Sequence, residues 1–385
     1  MKRFLTLIFS VCSIFSVVSM NLNSEIFFYA FADDKPSVSA KAAVLISADT
    51  GEMIYSLNAS TKLPMASTTK IMTTLLCLES GNLDEEFVVD SEAIKVEGSS
   101  MGLVEGDIVT KYALCCGMLL PSGNDAANAT AVKLAGSLEN FAVMMNEKAK
   151  ELGMSKSYFV TPSGLEGTGH GSSAYDMAIL AREALKNEIF KEICSQQSIQ
   201  VKFGNPPYER WLKNTNKLLS MYDGVYGVKT GFTDEAGRCL VSACERDGKE
   251  LICVTLNDRD DWNDHMILYD YGFSQVSDYE YKIDDEIYVN LAGGFEDKIK
   301  LCCPENPVIC TAENNPDFFK CKIKTSPFLY APIMEGEQCG EIVITYKGRE
   351  VRSLPLCADK DYNIYVKTEK KKSKMEKIKS IFNKN

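Results

Sequence analysis

The hydrophobic pattern divides the chain into β-forming segments at its two ends and a helical part between them. Apolar residues flank a polar turn at residues 49–52, which predicts a β-hairpin over 43–57. Apolar spacing predicts a helix from about Ala66 to Glu79. The same spacing predicts four further helices, within residues 114–118, 126–135, 138–152 and 175–185. Strands return at 240–243 and 251–256, so we expect a sheet built from both ends of the domain with helices around it.

Beyond residue 276 the pattern changes to short strands separated by turns. Three of these strands are predicted at residues 286–289, 341–346 and 351–356. They indicate a small all-β domain at residues 279–366, and no cluster of catalytic residue types lies in it, so we expect a spacer or docking module. The fold class is therefore predicted to be α+β, with an antiparallel sheet and helices in residues 33–276 followed by the β-rich domain.

The N-terminus carries the pattern of a secretory signal. Lys2 and Arg3 precede an apolar run from Phe4 to Val18, and residues 30–32 form a small-residue cleavage site. We expect residues 1–32 to be removed on export. The alternative is an uncleaved membrane anchor, for which the run is shorter than the ~20 residues of a spanning helix.

Charge is distributed unevenly along the chain. Its net charge is −11, although residues 367–385 hold eight lysines and only two glutamates. The acidic body argues against a nucleic-acid partner, because phosphate binding needs a basic face. Within the tail, apolar residues fall at helical spacing at Met375, Ile378, Ile381 and Phe382. This pattern predicts a basic amphipathic helix on a membrane surface, and a disordered solubilising tail is the alternative.

The fourteen cysteines do not form an obvious disulfide framework. Many stand singly in apolar runs, as Cys77 and Cys253 do, which favours buried free thiols. Pairing stays open in the C-terminal region, between Cys302, Cys303 or Cys310 and Cys321, Cys339 or Cys357. With two histidines and no Cys-x-x-Cys pair, we expect no structural zinc site, and no motif calls for a cofactor.

Candidate chemistry begins at Ser67-Thr68-Thr69-Lys70. Positions i and i+3 share a helix face, so Ser67 and Lys70 can meet, with Ser67 as nucleophile and Lys70 as its general base. Lysine is normally protonated, but burial near Lys229 and placement at a helix N-terminus would favour the neutral amine.

Two further strings supply the other groups that acyl transfer needs. In Ser122-Gly123-Asn124, Ser122 can relay a proton to the leaving amine, and Asn124 can orient the peptide or the lysine. In Lys229-Thr230-Gly231, the lysine and threonine would bind a substrate carboxylate, while Gly231 lets the substrate backbone come close. Any one of these three strings alone is weak evidence for an active site, whereas all three in this order are strong evidence.

This set resembles the signature of penicillin-binding proteins and class A β-lactamases. Longer strings around these motifs narrow the resemblance from this superfamily to one family. They are Leu119–Ala127, Thr161–Leu165, Asn214–Leu219 and Gly227–Thr233. From about residue 38 to 366 the chain is similar to low-molecular-weight penicillin-binding proteins that act as D-alanyl-D-alanine carboxypeptidases. The resemblance implies a β-lactamase/penicillin-binding-protein-like transpeptidase domain. It also implies an oxyanion hole at the backbone N–H groups of Ser67 and Phe232, the latter standing where such proteins often carry histidine.

The resemblance implies a serine-type D-alanyl-D-alanine carboxypeptidase that removes the terminal D-alanine of peptidoglycan stem pentapeptides and is acylated by β-lactam antibiotics. It would act outside the cell, at the cytoplasmic membrane or in the wall. Alternatives are a wall endopeptidase, a β-lactamase, or a catalytically silent wall-binding or antibiotic-sensing protein. Class A β-lactamases have aspartate where Gly123 stands and need a deacylating glutamate, for which Glu166 is the nearest candidate. We expect His170 to stabilise a loop and not to take part in catalysis.

Overall fold

The computed structural model describes residues 35–283 and 286–365. The predicted signal peptide and the predicted amphipathic tail lie outside the described residues. Within them, no helix is long and apolar enough to cross a membrane.

Helices occupy the middle of the chain, as the apolar spacing predicts. They are α1 (Lys70–Glu79), α2 (Lys111–Leu119), α3 (Asn124–Ala135), α4 (Leu138–Glu151), α5 (Ala174–Ala184), α6 (Glu188–Ser195), α7 (Leu218–Met221) and α8 (Asp261–Gln275), with 3₁₀ turns at Ala66–Thr69 and Pro316–Phe318. The five predicted helices are confirmed, with small differences at their ends. The predicted first helix is α-helical only from Lys70, because its first four residues form a 3₁₀ turn.

The strands that precede residue 276 form two antiparallel sheets. Their bounds are β1 (Ala42–Ser47), β2 (Met53–Leu57), β3 (Glu86–Val88), β4 (Ile108–Thr110), β5 (Ser198–Gly204), β6 (Pro207–Lys213), β7 (Val225–Thr233), β8 (Gly237–Arg246) and β9 (Lys249–Asp258). The main sheet has the order β2-β1-β9-β8-β7. Because β1 pairs with β9, it is built from both ends of the domain, as predicted.

Helices cover both faces of the main sheet, since α5 and α8 both pack against β9. Alternate residues of β9 therefore enter different cores. Ile252 and Val254 pack with α1 on one face, whereas Leu251 and Cys253 pack with Tyr269 of α8 on the other. Burial on both faces explains why β8 and β9 read as continuous apolar runs.

Some elements have no counterpart in the sequence analysis. A second sheet with the order β3-β4-β5-β6 stands apart from the main one, and helices α6, α7 and α8 were not predicted. The strands of this small sheet carry several exposed polar residues, and β3 and β4 have only three residues each, so their apolar signal is weak.

The C-terminal part consists of short strands, as predicted. These are β10 (Ser277–Glu280), β11 (Ile287–Ala292), β12 (Lys298–Cys302), β13 (Val308–Thr311), β14 (Phe319–Thr325), β15 (Phe328–Tyr330), β16 (Gln338–Tyr346) and β17 (Arg349–Ala358). Six of them form a sheet with the order β14-β16-β17-β12-β11-β15, and β10 pairs with β13. Its core includes Ile299, Ile342 and Leu356.

Two acidic residues of the β1–β2 hairpin attach this β region to the rest of the protein. The buried Glu52 carboxylate accepts hydrogen bonds from the Ala312 N–H at 3.0 Å and the Tyr346 hydroxyl at 3.0 Å. The Asp49 carboxylate accepts one from the Cys310 N–H at 2.8 Å. Carboxylates that bind backbone N–H groups make strong, directional contacts, so the β region has a defined position.

The interpretation of most cysteines as buried thiols is confirmed. Eight of them are buried and unbridged, at Cys77, Cys115, Cys116, Cys194, Cys239, Cys244, Cys253 and Cys310. Burial raises the pKa of the Cys194 and Cys239 thiols to about 12, so these groups are inert hydrophobes and not thiolates.

Candidate active site

The Ser67 and Lys70 side chains meet at the start of α1. The Lys70 ammonium nitrogen lies 2.9 Å from Ser67 Oγ. The two residues are joined by a 3₁₀ turn, in which side chains three positions apart eclipse each other. The prediction that Ser67 and Lys70 lie on one helix face is therefore confirmed, although the helix between them is a 3₁₀ turn. Ser67 lies just before the α-helix.

Lys70 is completely buried and is held by three oxygen atoms. Besides Ser67 Oγ, its Nζ contacts Asn124 Oδ1 at 2.7 Å and the Ser163 carbonyl at 2.6 Å. Burial lowers the pKa of Lys70 well below its ordinary value, the Lys229 charge lowers it further, and Asp125 opposes the shift. Burial and the Lys229 charge both make the neutral amine more accessible than in an exposed lysine, and the amine lies where it can accept a proton from serine.

The second motif begins at the loop between α2 and α3. Asn124 opens α3 and donates from its amide nitrogen to the Glu97 carbonyl at 2.7 Å, which fixes the amide so that its oxygen faces Lys70. Asp125 caps the 99–103 loop by accepting from the Met101 and Leu103 N–H groups. Ser122 is buried and has a left-handed backbone with φ +67°. Among the described residues, no hydrogen bond joins Ser122 to Ser67 or Lys70.

The segment 161–164 closes the other side of Lys70. Its Ser163 carbonyl contacts the amine, and the Pro162 carbonyl accepts from the Thr73 hydroxyl at 2.6 Å. Gly164 has φ +87°, and a Cβ built there would overlap the Ala66 carbonyl. Glycine at this position lets the segment lie directly against the turn that carries the serine.

The third motif lies on β7, an edge strand of the main sheet. Lys229 is buried, its Nζ donates to the Thr230 carbonyl at 2.7 Å, and burial lowers its pKa to about 7. The Thr230 hydroxyl lies 2.7 Å from the hydroxyl of Thr215. The strand continues past Gly231 to Thr233.

Gly231 brings β7 against the nucleophile. A Cβ on this glycine would stand 3.0 Å from the Ser67 backbone nitrogen and 3.1 Å from the Met65 carbonyl. Absence of a side chain therefore allows the backbone N–H of Ser67 and the free edge of β7 to approach each other. The Phe232 side chain is exposed, so its size does not interfere with this contact.

His170 has a structural position, as expected. Its Nδ1 accepts from the Val160 N–H at 3.0 Å, so the proton is on Nε2, which donates to the Thr69 hydroxyl at 2.9 Å. Burial lowers the pKa of His170 to about 4, with a contribution from Lys62, and the ring is neutral at neutral pH. It links the loop to the turn beside Ser67.

An open cleft of about 690 Å³ borders this site. Ala66 and Gly164 line it on the side of the serine, and Thr233 lines it from β7. Glu166 is exposed at its rim, and no hydrogen bond within the described residues connects Glu166 to Ser67 or Lys70. The cleft gives an extended ligand room beside the serine.

Two groups of this site were not predicted as site residues: the Ser163 carbonyl and the Thr215 hydroxyl. Both lie in strings that carry the family resemblance, Thr161–Leu165 and Asn214–Leu219. A backbone carbonyl has no residue-type signal, however, and Thr215 reaches Thr230 only through the tertiary fold.

Comparison with known proteins agrees with this geometry. The family described as D-alanyl-D-alanine carboxypeptidase matches residues 29–260, and the penicillin-binding protein 5 C-terminal domain matches 280–380. D-alanyl-D-alanine carboxypeptidase DacF of Bacillus subtilis is 35% identical over 84% of this chain and 85% of that relative. A D-alanyl-D-alanine endopeptidase of Escherichia coli is 29% identical over 58% of this chain and 73% of its own. The crystal structure of DacD from Francisella tularensis has a TM-score of 0.61 and 26% identity, covering 87% of this chain and 96% of that one. The chain therefore belongs to the D-alanyl-D-alanine carboxypeptidase family of low-molecular-weight penicillin-binding proteins.

Proposed function

We propose that Ser67 is the acylated residue of this serine-type D-alanyl-D-alanine carboxypeptidase, with Lys70 as its base. The protein removes the terminal D-alanine from peptidoglycan stem pentapeptides. The observation that carries the assignment is the 2.9 Å contact between Ser67 Oγ and a fully buried Lys70 amine of lowered pKa. A surface lysine would remain protonated and could not accept the hydroxyl proton.

The reaction begins when Lys70 takes the Ser67 proton and Oγ attacks the carbonyl carbon between the two D-alanines. Negative charge on the carbonyl oxygen is received by the Ser67 and Phe232 N–H groups. Collapse of this intermediate breaks the C–N bond, and the departing amine takes a proton from Lys70 through the Ser122 hydroxyl. Water then hydrolyses the ester and regenerates serine.

Substrate binding uses the third motif. Lys229 and the Thr230 hydroxyl bind the terminal carboxylate, and Thr215 orients the Thr230 hydroxyl through their 2.7 Å contact. Penicillins carry a carboxylate near their reactive carbonyl, so they occupy the same groups and acylate the same serine.

A second candidate activity is wall endopeptidase action, favoured by the relative of that name. Both activities use the same acyl-enzyme and differ in the leaving group. A β-lactamase is disfavoured because no hydrogen bond among the described residues joins Glu166 to Ser67 or Lys70. A catalytically silent binding protein is disfavoured because the burial and lowered pKa of Lys70 suit it to act as a base. D-alanine release from a soluble pentapeptide, compared with cleavage of cross-linked dimers, separates the first two.

Labelling with fluorescent penicillin tests the nucleophile. Ser67→Ala should abolish covalent labelling and D-alanine release without changing the unfolding temperature. Ser80→Ala, at the other end of α1, is the matched control and should be labelled and release D-alanine as the wild type does. Normal labelling of Ser67→Ala would show that another residue is acylated.

Residues 33–276 form the catalytic domain of the exported protein and 279–366 its β-rich domain, after removal of signal peptide 1–32.

The lysine-rich segment 367–385 holds the protein on the extracytoplasmic membrane surface. Support comes from the charge and spacing of the tail. The exported form should pellet with anionic vesicles at low salt, and a chain ending at Val366 should lose this salt-dependent binding while retaining activity on soluble peptides. Equal pelleting of both chains would contradict a membrane role for the tail.

A further inference from the structure

One corner of the C-terminal β region exposes a group of large apolar side chains. We name it the aromatic patch; each member is between 49% and 68% exposed, and the members are Phe295, Phe328, Tyr330, Ile364 and Tyr365. The rings form two edge-to-face pairs, Phe295 with Tyr365 and Phe328 with Tyr330, each with ring centroids 5.3 Å apart.

Backbone hydrogen bonds hold the two pairs at the same corner. The Ala331 N–H, next to Tyr330, donates to the carbonyl of residue 292, and the Tyr365 N–H donates to the carbonyl of residue 293. Gly294 also forms a β-bridge with Ile364. The positions of these rings are thus set by the sheet.

The aromatic patch is separate from the hydrophobic core of the C-terminal β region. Along β15, Leu329 points into the core, whereas Phe328 and Tyr330 on either side of it point away. β15 is an edge strand, where exposed aromatic residues create a risk of aggregation. An exposed cluster of this kind usually marks a contact surface.

The chain itself indicates what covers this surface. Tyr365 belongs to the patch, and the lysine-rich segment begins two residues later at Lys367, within about 7 Å of chain. On neighbouring β12, Lys298 is exposed, whereas Lys300 is paired with Glu286 at 2.8 Å. A basic segment attached to aromatic rings matches an anionic bilayer, in which lysines meet phosphates and aromatic rings occupy the headgroup region.

We propose that the aromatic patch is a second membrane-contact surface, which enters the headgroup region of an anionic bilayer beside the basic tail. This inference rests on the membrane association proposed above. The Glu52 and Asp49 contacts attach the β region to the hairpin of the main sheet. Binding through both the aromatic patch and the basic tail therefore sets the orientation of the active site relative to the membrane. Binding through the tail alone would leave this orientation free.

Vesicle binding of the exported form, residues 33–385, tests the patch. The vesicles contain phosphatidylcholine with phosphatidylglycerol, and the variant changes four rings to serine, at Phe295, Phe328, Tyr330 and Tyr365. We expect its partition coefficient to fall at least tenfold at constant salt, while the salt dependence given by the lysines persists. Tyr208→Ser with Trp211→Ser, two exposed aromatic residues of β6, is the matched control and should bind as wild type.

The outcomes separate the patch from the tail and from the enzymatic function. Unchanged binding of the four-ring variant, with loss of binding by the chain ending at Val366, would overturn the patch and leave the tail proposal intact. Failure of the wild type to bind would overturn both. Activity on soluble peptides should be unchanged in the four-ring variant, and a self-association that this variant abolishes without any effect on vesicle binding would identify a second copy as the true partner.

A fluorescent reporter gives an independent test that does not remove the patch. Phe328→Trp in a Trp211→Phe background places a tryptophan in the patch, with Trp262 as the remaining reference. Addition of anionic vesicles should shift its emission to shorter wavelength, and lipids brominated near the headgroup should quench it. Emission that stays the same with bound vesicles would overturn the inference.

Discussion

Gly164 offers a sharp test of how the serine–lysine pair is assembled. Its backbone has φ +87°, and an added Cβ would overlap the Ala66 carbonyl and stand 2.9 Å from the Thr69 hydroxyl. In Gly164→Ala, the segment 161–164 must therefore move away from the turn that carries Ser67. Because the neighbouring Ser163 carbonyl holds the Lys70 amine at 2.6 Å, the base should move with it.

The loss of folding free energy expected for Gly164→Ala has two parts. A left-handed alanine costs roughly 1–2 kcal/mol of folding free energy, and forcing a methyl group into a packed contact costs about 1–3 kcal/mol more. Gly136→Ala separates them, since Gly136 has φ +76° at the end of α3 and no atom within 4 Å of an added Cβ. We expect Gly136→Ala to show only the first cost, and Gly164→Ala to show both.

Activity should separate the two variants further. Displacement of a catalytic group by about 1 Å reduces rates by ~100-fold, so we expect penicillin acylation of Gly164→Ala to slow by about that factor. Gly136→Ala should acylate at the wild-type rate. The measurements are denaturant unfolding and the second-order acylation rate constant. Equal acylation rates in the two variants would refute the role given to the Gly164 contact.

Three other predictions follow from the same geometry. Acylation should fall at acid pH as Lys70 gains its proton and fall again above about pH 7 as Lys229 loses its own. In a pH profile of the acylation rate constant, Lys229→Gln should lower the rate, remove the alkaline decrease and move the acid decrease to higher pH, because the Lys229 charge helps to lower the pKa of Lys70. Thr215→Val should reduce kcat/KM for pentapeptide by about tenfold through loss of the Thr230 contact, and Thr215→Ser should restore it; equal loss in both would indicate a packing role. Glu52→Ala should lower the free energy of unfolding by roughly 1–3 kcal/mol by leaving buried donors unpaired, with acylation unchanged; a matching loss of acylation would show that the attachment of the β region affects the site.

Much of the architecture was predictable because its signals are local. The strands of the main sheet form apolar runs, the helix after Ala66 has apolar residues at helical spacing, and the order of elements places strands from both ends of the first domain in one sheet. The sheet formed by β3 to β6 was missed because β3 and β4 have only three residues each, which is too short for a clear apolar pattern. Helix α8 was missed because its buried face begins with polar residues, Asp261, Asp264 and His265, which give no apolar signal.

The sequence by itself determined most of the side chains that the candidate site brings together. Ser67, Lys70, Asn124 and Lys229 were identified from residue type, spacing and order, since these properties belong to short strings that do not depend on the rest of the fold. From Gly231 the sequence predicted a close approach of the substrate backbone, whereas the close approach of β7 to the Ser67 backbone was found only in the structure.

Only the tertiary structure decided how those groups behave. The pKa of Lys70 is lowered because segments far apart in the chain exclude water from its amine, and they also supply the Ser163 carbonyl and the Asn124 amide oxygen that contact it. The Thr215–Thr230 contact and the Gly164–Ala66 packing likewise join residues from separate elements. Desolvation and hydrogen-bond geometry depend on all the atoms around a group, and that environment exists only once the chain has folded.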